Sequence, residues 1–285
     1  MKFDSLNHPL TVVIPTLGGD SLFRTIEIIN SGTVVPKEIL VCIPKEEAYR
    51  VLSYNLENVR VISTNCKGQV QQRAIGFKES KYNYVMQVDD DIELGENSIE
   101  IMIKMLNKLG YGSVIGPSFY DPINLVALHK YDFGVLGFLK SLNASFFSAA
   151  PWGSKRMGKV TKIGVAYGVD PALSISDMRQ VDWLPGGCVL SFKEDLISDF
   201  FFPLPGKAFS EDIIHSLLRT SKNIEHYVAT RATAKTTVEV ESFNLRSFKV
   251  ELKARLHVVK LLHGNKFRFF VWCLSQLLVR QLNNK

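Results

Sequence analysis

Three consecutive carboxylates, Asp89-Asp90-Asp91, stand directly after the apolar run Tyr84-Val85-Met86-Gln87-Val88, where a buried strand is expected to end. Acids crowded at the rim of a sheet repel one another, and a hard cation that prefers oxygen, Mg²⁺ or Mn²⁺, would neutralise them. A plainer use is a solvated acidic turn ahead of a helix over 95–108, capped by Asp91 or Asn97. A second acidic pair, in Ser210-Glu211-Asp212, precedes the helical run from Ile213 to Arg219. There the helix dipole favours ionised carboxylates, although a serine cap with first-turn acids is the commoner use of such a trio. Upstream, Val181 to Leu190 is strand-like but interrupted by Gly186-Gly187, a pair that fits where backbone or ligand approaches closely.

The elements that must position these groups alternate in type. Apolar segments predict strands at Leu10–Ile14, Ile39–Ile43, Val59–Ile62, Tyr84–Val88 and Ser113–Ile115. Helical patterns at Ser21–Asn30, Lys45–Tyr54, Gln69–Glu79 and Gly95–Lys108 lie between them, the sequence form of a βαβ sheet. Ligands of such sheets gather beyond the carboxyl ends of the strands, so Pro15-Thr16 and the acidic triplet should face one crevice. From about Tyr120 to Tyr167 the pattern turns irregular, with Phe133, Phe138, Phe146, Phe147 and Trp152 among glycines, and reads as a mobile or surface-associated lobe. Two phosphate motifs fail. Gly153 to Val160 nearly matches a P-loop, but Val160 replaces the hydroxyl that binds magnesium. Gly18-Gly19 lacks the third glycine of a dinucleotide fingerprint, and Cys42-Ile43-Pro44 ends its strand without an acidic ribose ligand.

A chain of 285 residues with 46% hydrophobic content can bury one catalytic domain plus an appendage. Cys42, Cys66, Cys188 and Cys273 form no CxxC pair, which points away from zinc or a disulfide framework and toward a reducing cytoplasm. The segment from Met1 to Leu10 does not read as a secretory signal, and no apolar run reaches the roughly 18 residues of a spanning helix. Charge is uneven. Residues 244–285 carry net +8, leaving −2 for the rest. This basic stretch also holds Phe267, Phe269, Phe270, Trp272 and several leucines, the composition of a helix lying on an anionic membrane surface. The same pattern would serve a helical pair packed on the body or on another subunit. Nucleic acid is disfavoured, because the apolar block has nothing to bury against on a duplex.

Taken in order, the motifs resemble family 2 glycosyltransferases, the inverting GT-A class that uses nucleotide sugars. Val12-Val13-Ile14-Pro15-Thr16 is similar to the opening strand, and Lys67 to Gly76 to the helix whose arginine, here Arg73, precedes the metal site. Asp89-Asp90-Asp91 resembles the DxD region, Trp183-Leu184-Pro185-Gly186-Gly187 the acceptor-side segment, and Glu211-Asp212 the ED motif, over about residues 10 to 230.

The resemblance implies an α/β fold, a mixed and mostly parallel sheet flanked by helices. Residues 1–241 would form the catalytic domain, nucleotide-binding to about 118 and acceptor-binding from 119, and 242–285 a basic amphipathic helical extension. It also implies a nucleotide-sugar donor contacting Pro15, Thr16, Lys67, Arg73, Asp89 and Asp90, and a Mg²⁺ or Mn²⁺ ion on Asp91 and Asp89. Trp183, Gly186 and Gly187 would face the sugar and acceptor, with Asp212 as base and Glu211 orienting it. One departure concerns the second strand, which lacks the family's base-reading aspartate, so that role passes to Glu46 or loosens. Uridine diphosphate is the usual nucleotide of the family, and a glycan or lipid-linked acceptor at the inner face of a bacterial membrane the matching setting, as in surface-polysaccharide assembly. The alternatives are a sugar nucleotidyltransferase, for which Thr16 to Arg24 is a partial imitation of the glycine-rich loop, and a non-catalytic membrane scaffold of the same fold.

Overall fold

A computed structural model describes residues 9–51, 56–199, 202–203, 208–237 and 245–283. In chain order these form β1 (Leu10–Pro15), α1 (Ser21–Ser31), β2 (Glu38–Pro44), β3 (Val59–Thr64), α2 (Gln69–Glu79), β4 (Tyr84–Val88), β5 (Glu93–Leu94), α3 (Ser98–Leu109) and β6 (Ser113–Tyr120). There follow α4 (Gly134–Ser148), β7 (Met178–Val181), β8 (Cys188–Phe192), α5 (Glu211–Ser221), β9 (Glu225–Lys235), α6 (Leu245–Leu261) and α7 (Lys266–Asn283).

The described strands make one nine-stranded sheet in the order β3-β2-β1-β4-β8-β6-β9-β5, with β7 also on β9. The first four of that order are parallel, and every residue of β1, β2 and β4 is buried. Burial on both faces is why these segments read as continuous apolar runs rather than alternating ones. Leu10, Val12 and Ile14 pack toward α1 and α3, while Val13, Leu40 and Val85 pack with Phe77 of α2. The exception to parallel order is β8, which runs antiparallel between β4 and β6.

Most predicted elements lie where expected, α2 to the residue. Two differ. Lys45–Tyr54 is a short 3-10 turn over Lys45–Val51, with residues 52–55 outside the described set. The predicted irregular lobe contains α4, whose 15 residues were hidden by its composition; its Gly134, Gly137 and serines break the usual helical pattern.

Helix α2 positions the site because it lies almost on the sheet. A Cβ at Gly76 would come within 2.3 Å of Val13 Cγ1 and 2.7 Å of Cys42 Sγ. Alanine is favoured over glycine in a helix by about 1 kcal/mol, whereas overpacking costs about 1–3 kcal/mol. At these distances the clash should win. Gly76→Ala is expected to lower the melting temperature, and a calorimetric Tm equal to or above wild type would show that α2 has room to move.

Candidate active site

The reversal at β8 builds the centre. Because Val88 of β4 pairs with Cys188 of β8, the residues just after β4 meet those just before β8. The Asp89 amide donates to the Gly187 carbonyl at 2.8 Å, and the Gln87 side chain donates to the Gly186 carbonyl at 2.5 Å. A Cβ at Gly186 would stand 2.6 Å from Glu211 Oε1, and one at Gly187 3.5 Å from Asp89 Oδ2. The glycine pair therefore lies where both acidic motifs crowd the backbone, and a side chain at Gly186 has no space.

Arg73 joins those motifs. Its side chain is 1% exposed and lies between Asp89 Oδ1, 3.0 Å from Nη2, and Glu211 Oε1, 2.9 Å from Nη1. Glu211 is 138 positions from Arg73 in the chain, so this guanidinium ties α2 to the start of α5. Burial alone would lower the Arg73 pKa, but Glu211 and Asp89 more than offset it and hold the cation charged. Burial pushes Asp89 up to about 6, opposed by Arg73 and by the hydrogen bond that Gln69 donates at 2.6 Å. Neighbouring Gln72 donates to the carbonyls of Thr16 at 2.7 Å and Cys42 at 2.6 Å, tying the ends of β1 and β2 to α2.

The rest of the triplet faces the crevice at the carboxyl end of β1. The Thr16 hydroxyl donates to Asp90 and accepts from the Gly18 amide, while Thr25 donates to the Asp90 carbonyl. Burial raises the Asp90 pKa, against the Thr16 hydrogen bond. Asp91 is exposed and takes one hydrogen bond, from Thr236 at 3.2 Å. Pro15 ends β1 in the buried sheet, whereas Glu46 and Lys67 lie at the surface, Lys67 paired with Glu47 at 3.2 Å. Among the described residues no three acidic, histidine or cysteine side chains converge as a metal cage. The donor set is one of hard oxygens, open at Asp91 and partly committed to Arg73 at Asp89. That suits an ion taking most of its ligands from a diphosphate and water, the usual mode for Mg²⁺.

Helix α5 carries the second acidic pair. Its N-cap Ser210 has φ +58°, in the left-handed region, and makes no side-chain cap bond, so the trio is not an ordinary serine cap. The strained turn sends the two acids in different directions. Glu211 is buried against Arg73, and Asp212 is half-buried, lining a cavity of about 470 Å³. Burial, then the Glu211 charge, pushes Asp212 up to about 7. Beneath the site Arg219 falls to about 9, through burial and the Arg73 charge. Burial and Arg219 in turn hold His226 near 3 and His215 well below its ordinary value, so both rings are neutral.

The far wall of the Asp212 cavity comes from the C-terminal helices. Glu251 and Arg255 of α6, paired at 2.8 Å, line it with Trp272 and Gln276 of α7, opposite Trp183. Arg255 lies over the Trp272 ring, 5.6 Å from its centre. Val258 of α6 shares a buried cluster with Trp183 and Ile213, and Phe269 of α7 is fully buried with Ile163 and Val259. Part of the basic stretch thus packs on the body, the second of the two uses its composition allowed. Sequence reasoning missed these wall residues. It also missed Gln69, Gln72 and Gln87, whose signal was an amide on a face that otherwise reads as core.

This strand order, with one antiparallel strand inserted beside the acidic rim and a crevice at the strand ends, is that of the GT-A glycosyltransferases. The chain belongs to glycosyl transferase family 2, whose profile matches residues 11–160. No curated protein sequence matches it. Among solved structures, GalNAc-T7 with UDP, GalNAc and Mn²⁺ is similar at a TM-score of 0.61 and 16% identity, over 88% of this chain and 48% of that one. Residues 1–349 of TarS from S. aureus, in complex with UDP-GlcNAc, give 0.52 and 14% over 88% and 66%. The chain spans about half the length of the first of these (48%).

Replacing one partner of a buried ion pair strands the other charges, at a cost of about 3–5 kcal/mol. Arg73→Met should lose stability on that scale in urea unfolding, and adding Glu211→Gln should return part of it. A loss under about 1 kcal/mol would mean that α2 and α5 are held together elsewhere.

Proposed function

We propose that the chain is an inverting glycosyltransferase that moves a sugar from a UDP-linked donor to a hydroxyl of a glycan or lipid-linked acceptor. The observation that carries this reading is the Arg73 bridge, which sets the acidic rim of the donor crevice beside the Asp212 cavity. The UDP, UDP-GlcNAc and Mn²⁺ in the two similar structures support the class of donor and cofactor. A place in bacterial surface-polysaccharide assembly, on the cytoplasmic face of the membrane, follows from the family resemblance and the basic C-terminal stretch.

The donor lies across the ends of β1 and β4, against Pro15, Thr16, Asp89 and Asp90, with Glu46 and Lys67 at the rim. Asp91, with Asp89, would hold Mg²⁺ or Mn²⁺, which when bound stabilises the charge growing on the diphosphate leaving group. Asp212 takes the proton of the acceptor hydroxyl as its oxygen bonds to the anomeric carbon and the bond to the diphosphate breaks on the opposite face. A pKa near 7 suits a base working near neutrality. Arg73 and Glu211 position, Trp183 faces the sugar from the wall of the Asp212 cavity, and Gly186-Gly187 let the carboxylates of Glu211 and Asp89 come close to the backbone on that side. A nucleotidyltransferase is less well served, since Arg24, the cation of its partial loop, is exposed and pairs with Glu93.

The test is release of UDP from a panel of UDP-sugars with Mn²⁺ and acceptor; pyrophosphate release with a nucleoside triphosphate would favour the nucleotidyltransferase instead. Asp212→Asn should cut transfer by about 10²–10⁴-fold while leaving UDP affinity intact. Equal losses in both would make Asp212 structural. Wild-type rate should rise with pH through about 7, as the base loses its proton. The stability sign is opposite. A carboxylate whose folded pKa is raised stabilises below its unfolded value of about 4, and that contribution is lost as pH rises through about 7. Asp212→Asn should therefore melt higher than wild type at pH 8 and gain least near pH 4. Asp91→Asn should abolish the part of UDP binding that depends on Mn²⁺, seen by thermal shift with and without the ion. Full retention of that increment would remove the metal assignment.

A further inference from the structure

Helix α4 is amphipathic in the wrong sense for a soluble protein. Its inward face is made of Gly137, Ser141, Ala144 and Ser148, all buried. That face is held by polar contacts. Arg156, buried between the rings of Tyr131 and Tyr167, donates to the Ser141 hydroxyl at 2.7 Å, and the Ser148 hydroxyl meets Tyr167 Oη at 2.9 Å. The outward face carries Val135, Phe138, Leu139, Leu142 and Phe146, with Val135 77% and Phe146 70% exposed. A surface helix normally turns such residues toward the core.

Helix α7 packs beside α4 and extends the same surface. Arg268 donates to the carbonyls of Ser145, Phe146 and Phe147, fixing α7 to the carboxyl end of α4. Phe267, Phe270 and Leu274 are spaced along one face of α7 and exposed, Phe267 at 77%. Trp272 and Gln276, on the opposite face, line the Asp212 cavity. Between them α4 and α7 hold Lys140, Lys266, Arg268 and Arg280 and no acidic residue. Fifteen residues of helix reach about 22 Å, short of the roughly 30 Å of a hydrocarbon core, and no helix of the described residues is long and apolar enough to cross.

We propose that α4 and α7 form a single lipid-docking face, lying in the plane of an anionic membrane with their aromatic and aliphatic side chains in the headgroup region. The partner is lipid because the face combines large exposed aromatics with the cations Lys266 and Arg268 at the start of α7, Lys140 of α4 being paired with Asp132, and neither helix adds an acid of its own. This extends the membrane reading of the C-terminal stretch to an element outside it, and α4 supplies the larger apolar share. It rests on the proposed function only in what it implies for the acceptor, which would enter the cavity from the lipid side of α7.

Co-sedimentation with vesicles of phosphatidylcholine and phosphatidylglycerol tests it. The full chain should bind, less so at high salt, and Val135→Glu with Phe146→Glu should weaken binding at least about tenfold, with an unchanged Tm. Phe267→Glu with Phe270→Glu should do the same. UDP binding should survive in all of these, so a failure of the docking face is distinguishable from a failure of the catalytic reading. Vesicle binding unaffected by the α4 pair, or no binding by wild type, would overturn the proposal. So would a dimer in sedimentation analysis that the same pair disperses, which would make a second copy the occupant.

Discussion

A fully buried guanidinium between two carboxylates is the constraint around which this molecule is arranged. Arg73 is held charged in the interior by Asp89 and Glu211, and it in turn favours the ionised form of Asp89, which Gln69 also supports. The geometry follows. The Arg73 side chain fixes α2 against the end of β4 and the start of α5, and Gly186 must lack a side chain because Glu211 already occupies the space. Such a bridge is weak evidence for net stability, since well-packed apolar residues often do as well. What it supplies here is registration of the end of β4 against the start of α5, by a buried bridge where the exposed Lys78–Asp199 pair lies at the surface.

The division of labour between the two acidic motifs also follows. In each, one carboxylate turns inward to Arg73 and another is left facing open space: Asp89 inward with Asp91 exposed, Glu211 inward with Asp212 on the cavity. The inward acids balance the buried cation. The outward ones face open space, each with a single protein hydrogen bond described, from Thr236 to Asp91 and from the Ile213 amide to Asp212. The left-handed Ser210 is where this divergence is paid for at α5, since a helix entered in ordinary geometry would direct its first acids along the capping turn.

Much of this was legible in the residues. The parallel half of the sheet could be read because its strands are buried on both faces, so that Leu10–Ile14, Ile39–Ile43 and Tyr84–Val88 appear as unbroken apolar runs. Helix α2 was readable to its ends. The acidic motifs and the glycine pair were visible by type and spacing, but not the partnership of Arg73 with Glu211, which is a tertiary contact without local signature. Helix α4 was illegible because Gly134, Gly137 and its serines interrupt the helical pattern, and its orientation was hidden because the large apolar face and the buried face need not coincide. In α4 they are opposite. The C-terminal residues were visible as basic and aromatic, yet nothing local indicated that Trp272 and Gln276 would turn toward Asp212 while Phe267 and Phe270 turn away.

That α7 borders the Asp212 cavity on one side and presents bare aromatics on the other has a kinetic meaning. Once such a helix rests on a bilayer, an acceptor carried in that bilayer is met by lateral diffusion in two dimensions, and its effective concentration is a mole fraction among lipids rather than a bulk molarity. On the docking proposed for α4 and α7, turnover of a lipid-carried acceptor would follow how crowded the leaflet is with acceptor rather than how much bilayer the surrounding volume contains.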